Sequence, residues 1–244
     1  MNRKMVFYTL GRIMLVIAAL LLLPTACAVY FKETTIPAFA ITVAVSIGIG
    51  LALTFACRTK NRVIFAKEGF AIVALTWVAA SAVGALPFFI SHEIPSYIDA
   101  FFETVSGFTT TGASILENVE VMSKSLLFWR SFTHWIGGMG VIVFVMMFTN
   151  LSDRSLHIMR AEMPGPIVGK LVPRAKDTAR LLYIIYIVMT VALILLLRLG
   201  GMPLFESVLH AFGTAGTGGF GIKSDSIAGY SPYIQWVITV FMLL

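Results

Sequence analysis

The chain has 244 residues, of which 58% are hydrophobic and only 12% are charged. A soluble globular domain usually carries about 25% charged residues, so this chain lacks the polar side chains that would cover a surface facing water. Its net charge of +6 comes mainly from basic residues at the N-terminus and in two loops, a distribution typical of membrane topology rather than of nucleic-acid binding. The composition excludes a soluble domain and predicts an all-α integral membrane protein surrounded by lipid.

Five apolar stretches are long enough to cross a bilayer, which takes about 20 residues as a helix. They cover residues 13–31, 37–57, 69–90, 126–148 and 181–199, and a sixth begins near Tyr233 and runs to the end of the chain. The sixth run is too short to span. A helix that ended inside the membrane would leave its last carbonyl groups unpaired, so we expect the sequence to be part of a longer chain.

The lysines and arginines predict how these spans are oriented. Of the 18 basic residues, 13 precede the first span, lie between the second and third, or lie between the fourth and fifth. The positive-inside rule therefore places the N-terminus in the cytoplasm. Basic cytoplasmic segments and less basic outer segments alternate at every crossing only if residues 91–121 and 200–231 both stay on the outer side.

These two outer segments share one plan. Each has a proline, then a short stretch with helical character, then a run of small residues. Proline is well tolerated at a first helical turn, and irregular backbone at membrane depth is tolerated only where it lines a water-filled cavity or is buried in protein. The plan predicts two re-entrant pore loops. The prolines are Pro95 and Pro203, the short helices are residues 96–108 and 204–213, and the small residues are 109–114 and 213–221.

An internal repeat with a period of 107 residues relates the two segments. Without gaps, an acid at the start of the short helix, a threonine and a glycine in the following loop, and a tryptophan in the next span all coincide. A repeat at a fixed period indicates one structural unit used twice. The matched pairs are Asp99 with Glu206, Thr110 with Thr217, Gly112 with Gly219, and Trp129 with Trp236.

The sequence thus divides into four parts. Two N-terminal transmembrane helices occupy residues 1–62, and a first span–pore loop–span repeat, like those of potassium channels, occupies residues 63–150. A cytoplasmic loop follows at residues 151–178. A second repeat, truncated in its last helix, occupies residues 179–244.

The residue types of the loops suit a dehydrated cation. Backbone carbonyl oxygens replace the ion's water shell without fixed charge, glycine allows unusual backbone angles, and threonine adds a hydroxyl oxygen. The C-terminus of a pore helix contributes roughly half a negative elementary charge. An acidic mouth would concentrate cations, and the acids around the first loop are Glu93, Asp99, Glu103, Glu117 and Glu120.

Four stretches carry motifs that are specific in combination. They are FETVSGFTTTGAS at residues 102–114, WRSFTHWIGGMG at 129–140, AEMPGPIVGKLVPRAKDTAR at 161–180 and HAFGTAGTGGFGIKSDS at 210–226. Here the chain resembles the Trk/Ktr/HKT superfamily of potassium transporters, and within it the membrane subunit of bacterial Trk systems. That family has four span–pore loop–span repeats around one pore. Two are present here, so the resemblance implies that a C-terminal half is missing from this sequence.

The resemblance implies potassium uptake across the bacterial inner membrane through a selectivity filter, with the transported ion as ligand, no organic cofactor and no enzymatic activity. The alternatives are a less selective K⁺/Na⁺ pathway and a non-conducting membrane assembly subunit. Potassium would bind at Thr110, Thr111, Gly112, Thr217, Gly218 and Gly219. The family's full filter positions fall on Thr110, Thr111, Gly112 and Ala113 in the first repeat and on Thr217, Gly218, Gly219 and Phe220 in the second.

The resemblance also implies protein partners. Such transporters usually form homodimers and work with a cytoplasmic nucleotide-binding regulatory subunit. The basic, proline-interrupted inner loop at residues 151–178 is the candidate surface for that subunit.

Two further features have competing interpretations. Arg130 lies within a predicted span, where a charge is costly and faces protein or water. It is expected to pair with an acid such as Glu103 or to snorkel to the interface, and structural pairing is favoured over a direct effect on permeation. The glycine run at residues 137–140 is expected to serve packing or as a hinge.

The glycine run at residues 216–221 matches the dinucleotide-binding pattern G-x-G-x-x-G. We reject that interpretation because no predicted strand or βαβ unit surrounds the pattern. Close helix packing by small residues is the other alternative to a filter.

Overall fold

The structure, a computed structural model, describes residues 2–59, 66–140 and 175–243. Within those ranges the chain forms helices, turns and loops and contains no strand, which confirms the predicted all-α fold class. The helices are α1 (Arg3–Phe31), α2 (Ile36–Ala56), α3 (Ala66–Gly84), α4 (Leu86–Ile90), α5 (Tyr97–Phe108), a 3-10 turn (Val119–Val121), α6 (Lys124–Gly138), α7 (Ala175–Leu199), α8 (Leu204–Ala215) and α9 (Pro232–Leu243).

Four helical segments of the described part have the length and apolar composition needed to cross a membrane. They are Arg3–Phe31, Ile36–Ala56, Lys67–Ile90 and Arg180–Leu199, and they match the first, second, third and fifth predicted spans. The predicted fourth span begins in α6, and its residues 141–148 lie outside the described residues.

Helix α1 starts ten residues before the first predicted span. The side chain of Asn2 caps its first turn by accepting a hydrogen bond from the Met5 amide at 3.2 Å, which satisfies one of the orphan donors of a helix start. Met5, Val6 and Leu10 are buried in the core. The basic residues of this turn hid the helix start from an argument based on apolar runs alone.

Helix α6 lies at the centre of the described molecule, between α1, α5 and α8. Trp129 is fully buried, and its indole nitrogen donates to the carbonyl oxygen of Gly84 at 2.9 Å. Its ring also packs edge-on against Phe108 of α5. The indole therefore joins three helices while its one donor is satisfied, as a buried tryptophan requires.

The loop between the two N-terminal helices holds the start of α6. Glu33 accepts hydrogen bonds from the amides of Lys124 at 2.8 Å and Ser125 at 3.0 Å. The Ser125 hydroxyl donates to the same carboxylate at 2.5 Å. A carboxylate is favourable at a helix N-terminus because the free amides and the helix dipole are both positive there. The first two helices thus fix the position of α6.

Helices α5 and α8 are the predicted pore helices, and both of their ends are related by the 107-residue period. Ser96, expected inside α5, instead serves as its N-cap and accepts a hydrogen bond from the Asp99 amide at 3.4 Å. Helix α8 runs two residues past its predicted end, to Ala215. The small residues of this stretch remain helical because the Gly216 amide still donates to Phe212, at 3.1 Å.

Candidate functional site: two filter loops

Both pore helices end in the same hydrogen-bonded cap. In α5 the Thr110 amide donates to the Gly107 carbonyl oxygen at 3.1 Å, and the Thr111 amide donates to that of Ser106 at 3.0 Å. This pair of bonds is the Schellman motif of a helix C-terminus. In α8 the residues 107 positions later make the same bonds: Thr217 to Thr214 at 2.9 Å and Gly218 to Gly213 at 3.0 Å.

The residues after each cap share an unusual backbone conformation. Thr110 and Thr217 have φ of 54° and 53°, and Gly112 and Gly219 have φ of 75° and 77°. The other described non-glycine residues with positive φ are not β-branched. The left-handed conformation costs an L-residue about 1–2 kcal/mol, and it is a genuine outlier for a β-branched side chain. The two loops therefore adopt one backbone shape, which includes local strain at each threonine.

The loops touch each other at Gly112. A Cβ atom added there would overlap the carbonyl oxygen of Gly218. Gly219, in contrast, has open space around its missing side chain, where the nearest atom is Met242 Cε at 3.9 Å. Glycine is thus required at position 112 for both backbone angle and contact, and at position 219 for backbone angle alone.

One cavity of about 170 Å³ receives residues from both loops. Gly112 from the first loop and Gly219 from the second both line it, together with Glu117 and Lys223. Seven of the eight sequence-predicted filter residues are at least partly exposed, and Phe220 is the buried exception. The structure therefore brings the two predicted filter segments to one cavity, which Phe220 and Arg130 also line.

The Phe220 ring anchors the second loop on α6. It stacks on the imidazole of His134 with a centroid distance of 3.8 Å and an interplanar angle of 14°. The guanidinium carbon of Arg130 also lies 3.5 Å from the centroid of the Phe220 ring. Gly218 also packs on His134, since an added Cβ would overlap the imidazole. His134 is thus a packing residue for the loop.

Arg130 is 3% exposed and does not snorkel. Its Nε atom lies 2.5 Å from Oε1 of Glu103 in α5, so the ion pair offered as one alternative by the sequence is present. Its Nη1 atom donates to the Gly221 carbonyl oxygen at 2.9 Å. Glu103 also accepts hydrogen bonds from the Ser114 hydroxyl at 2.9 Å and the Ile115 amide at 3.0 Å.

The glycine run in α6 serves packing, as expected. A Cβ atom on Gly137 would overlap the Phe108 carbonyl oxygen at the end of α5. One on Gly138 would lie 2.5 Å from the Tyr186 hydroxyl and 2.7 Å from the Gly216 Cα atom. These two glycines let α6 approach the ends of both pore helices.

The acids expected at the mouth of the first loop are not all free to face it, although Glu93, Asp99, Glu117 and Glu120 are at least partly exposed. Glu103 is buried against Arg130, and Glu93 accepts hydrogen bonds from the amide and hydroxyl of Ser123 before α6. The docking of the second loop on α6 through Phe220 and Gly221 was not predicted from the sequence. The only signal for that contact was a large aromatic residue following a run of glycines.

The fold and this site define a class: a helical membrane protein built from spans that alternate with short helices and glycine-containing loops. A family model described as a cation transport protein, TrkH, matches residues 35–244. The chain belongs to this TrkH cation transport family, which confirms the resemblance seen in its sequence motifs.

Curated relatives and a solved structure agree with this assignment. The chain is 36% identical to the Trk system potassium uptake protein TrkH of Salmonella typhimurium, over all of this chain and 51% of that protein. It is 36% identical to the Trk system potassium uptake protein TrkG of Escherichia coli, over 91% of this chain and 46% of that protein. The chain spans about half the length of the curated relatives it matches.

The crystal structure of the potassium transporter TrkH from Vibrio parahaemolyticus superposes with a TM-score of 0.84 and 30% sequence identity. The match covers all of this chain and 49% of that one.

Proposed function

We propose that this chain supplies two filter loops of a potassium uptake pathway across the bacterial inner membrane, with its N-terminus in the cytoplasm. The observation that carries the proposal is the matched strain at Thr110 and Thr217, each at the C-terminus of a pore helix. The chain would act together with two further repeats, as the resemblance of its motifs implies, and its relatives are about twice as long as this chain.

The choice of threonine supports a functional loop. Glycine is the usual residue at the left-handed position of a Schellman motif because it adopts that conformation without a steric penalty. Threonine occupies this position in both repeats. Backbone strain of this kind persists where the surrounding structure imposes it, and it clusters at functional sites. A role of their hydroxyl and carbonyl oxygens as ion ligands would explain why threonines are kept at these strained positions.

The proposed ion ligands are the oxygen atoms of Thr110, Thr111 and Gly112 in the first loop and of Thr217, Gly218 and Gly219 in the second. Ala113 completes the first filter segment. Phe220 completes the second through its backbone, while its buried ring fixes the loop on α6. Carbonyl ligands without fixed charge bind a cation strongly enough to replace its water and weakly enough to release it.

The C-terminal ends of the two pore helices favour a cation. The C-terminal ends of α5 and α8 lead directly into the loops, and each contributes partial negative charge. The charged residues that line the shared cavity are Glu117, Arg130 and Lys223, so its side chains add no net negative charge and the helix ends carry the attraction. Because Arg130 is paired with Glu103, its charge is largely balanced inside the protein.

The names of the relatives favour potassium as the ion, since both are described as potassium uptake proteins. The resemblance of the sequence motifs to the Trk membrane subunit is the ground on which we also propose a homodimer and a cytoplasmic nucleotide-binding partner. The candidate surface for that partner, residues 151–178, lies outside the described residues up to residue 174. The chain itself would carry no enzymatic activity and no organic cofactor.

The test is growth on low potassium of cells that lack their own potassium uptake, complemented with the full-length gene and its regulatory partner. Rescue by the intact protein, and its loss in Gly112→Ser and Gly219→Ser, is the expected result. Gly48→Ser is the matched control, since Gly48 lies in α2 with no atom near its missing side chain. Failure of the intact protein to rescue would contradict potassium uptake, and rescue by both loop variants would contradict the filter.

A further inference from the structure

One buried ion pair connects the two filter loops. At one end, Glu103 accepts hydrogen bonds from the Ser114 hydroxyl and the Ile115 amide, where the first loop ends. At the other end, Arg130 donates to the Gly221 carbonyl oxygen, where the second loop ends. Glu103 and Arg130 are 1% and 3% exposed. A continuous polar connection therefore runs from the first loop through the Glu103–Arg130 pair to the second.

The geometry of arginine suits this connection. Its guanidinium is planar and presents donors in a fixed fork. Here Nε faces Glu103, Nη1 faces Gly221, and the flat face lies on the Phe220 ring. These three contacts leave the guanidinium little freedom to move relative to either loop.

The pair is absent from the second repeat. The 107-residue period relates Glu103 to His210 and Arg130 to Val237, and neither can form the same ion pair. His210 instead packs edge-on against the Tyr230 ring. The span–pore helix–loop unit therefore forms without the pair. Of the two described repeats, only the first has it, and there it reaches the second loop.

A gain in folding stability does not by itself explain the buried Glu103–Arg130 ion pair. Removing two charges from water costs about as much as their attraction returns, and well-packed apolar residues often serve as well. The better supported use of a buried ion pair is to select one arrangement over others. Here the arrangement that the pair selects is the position of one filter loop relative to the other.

We propose that Glu103 and Arg130 are positioning residues that fix the spacing of the two filter loops and so set discrimination between potassium and sodium. The inference rests on the proposed potassium pathway and deepens it. Neither residue is proposed as an ion ligand: Arg130 lines the shared cavity but is itself a cation, and Glu103 is buried against it. Both act by holding Ser114, Ile115, Phe220 and Gly221, the residues that flank the proposed ligands.

Ion selectivity is the first readout, measured as the ratio of sodium to potassium uptake by the full-length protein with its regulatory partner. Arg130→Gln and Glu103→Gln are each expected to raise this ratio by about tenfold, in the range that small changes of a binding site produce. The double variant is expected to do no more than either single variant, because both remove one interaction. Arg198→Gln, which removes the same charge at the exposed end of α7, is expected to leave the ratio unchanged.

Loop spacing is the second readout and does not depend on transport. Spin labels at Glu117 and Ser224, both exposed beyond the loop ends, report the distance between the loops once Cys27, Cys57 and any cysteine in the rest of the full-length protein are replaced by alanine. The wild type is expected to give one narrow distance distribution, and Arg130→Gln a broader one. Where Arg130→Gln does not accumulate in the membrane, Arg130→Lys takes its place, since it keeps the charge and loses the fork.

An unchanged uptake ratio and an unchanged distance distribution in a variant present at wild-type level would overturn the inference. A wild-type protein that takes up no potassium would refute the proposed function instead, and the distance distributions would still decide whether the pair positions the loops.

Discussion

Thr110 and Thr217 stand 107 residues apart in the chain and have the same left-handed backbone, with φ of 54° and 53°. Each follows the end of a pore helix and donates its amide hydrogen to the third residue before it, at 3.1 and 2.9 Å. The sequence repeat is thus also a repeat of backbone geometry. Its strained position falls on the residue type that can offer a hydroxyl oxygen to an ion.

Replacing both threonines by glycine separates stability from function. Glycine removes the left-handed penalty of about 1–2 kcal/mol per residue. It also destabilises the folded state by about 0.5–1 kcal/mol, because the unfolded chain gains conformational freedom. We expect Thr110→Gly and Thr217→Gly to leave the melting temperature in detergent unchanged or slightly raised, while selectivity for potassium over sodium falls. A lower melting temperature with selectivity intact would show that the threonines serve structure.

The two loop glycines should differ in their tolerance of alanine. Gly112→Ala places a methyl group on the Gly218 carbonyl oxygen, a backbone atom that cannot rotate away, so we expect a loss of more than about 2 kcal/mol. Gly219→Ala meets open space and is limited to the backbone penalty of about 1 kcal/mol. Melting temperatures of the two purified variants check the order, and equal losses would argue against the contact between the loops.

Glu33 should stabilise the start of α6 from the N-terminal helices. Glu33→Gln removes the charge that accepts hydrogen bonds from Lys124 and Ser125, and we expect a loss of about 1–2 kcal/mol. That loss corresponds to a melting temperature lower by roughly 2–8 °C for a chain of this size. Glu117→Gln, at an exposed position, is the matched control, and an equal effect of both changes would contradict the capping role.

The Tyr230 hydroxyl donates to Glu206 of α8 at 2.6 Å. Burial, and then the hydrogen bond to Glu206, raises the pKa of Tyr230 above its usual value of about 10. The contribution of the protonated Tyr230 hydroxyl to the free energy of unfolding is therefore complete below pH 10. It is lost as pH rises further, because the unfolded chain releases the phenol proton first.

Tyr230→Phe should consequently cost about 1–2 kcal/mol at neutral pH. The difference in melting temperature from the wild type should shrink above pH 10. A difference that stays constant from pH 7 to pH 11 would contradict this ionisation.

Local features of the sequence predicted the pore helices well. The prolines before each helix and the small residues after it are local signals, and they placed three of the four helix ends within one residue of their observed positions. The repeat then aligned the second loop on the first. The choice of threonine and glycine at matched positions was visible in the sequence alone.

Contacts between distant segments were not predictable in the same way. Glu33 meets Ser125 across 92 residues, and Arg130 meets Gly221 across 91, so no local pattern records either contact. Glu103 was expected both as an acid of the mouth and as a partner of Arg130. Sequence periodicity does not show which face of a short helix turns toward the pore. In the structure, the Glu103 side chain is buried and pairs with Arg130.

The measurement that tests the central claim most directly is anomalous diffraction from crystals of the full-length protein soaked in rubidium or thallium, which substitute for potassium. The proposed filter predicts an ion peak within coordination distance of the Thr110–Gly112 and Thr217–Gly219 oxygen atoms, and its loss when sodium replaces the heavier ion. An ordered ion elsewhere in a transport-competent protein, with none between these two loops, would contradict it.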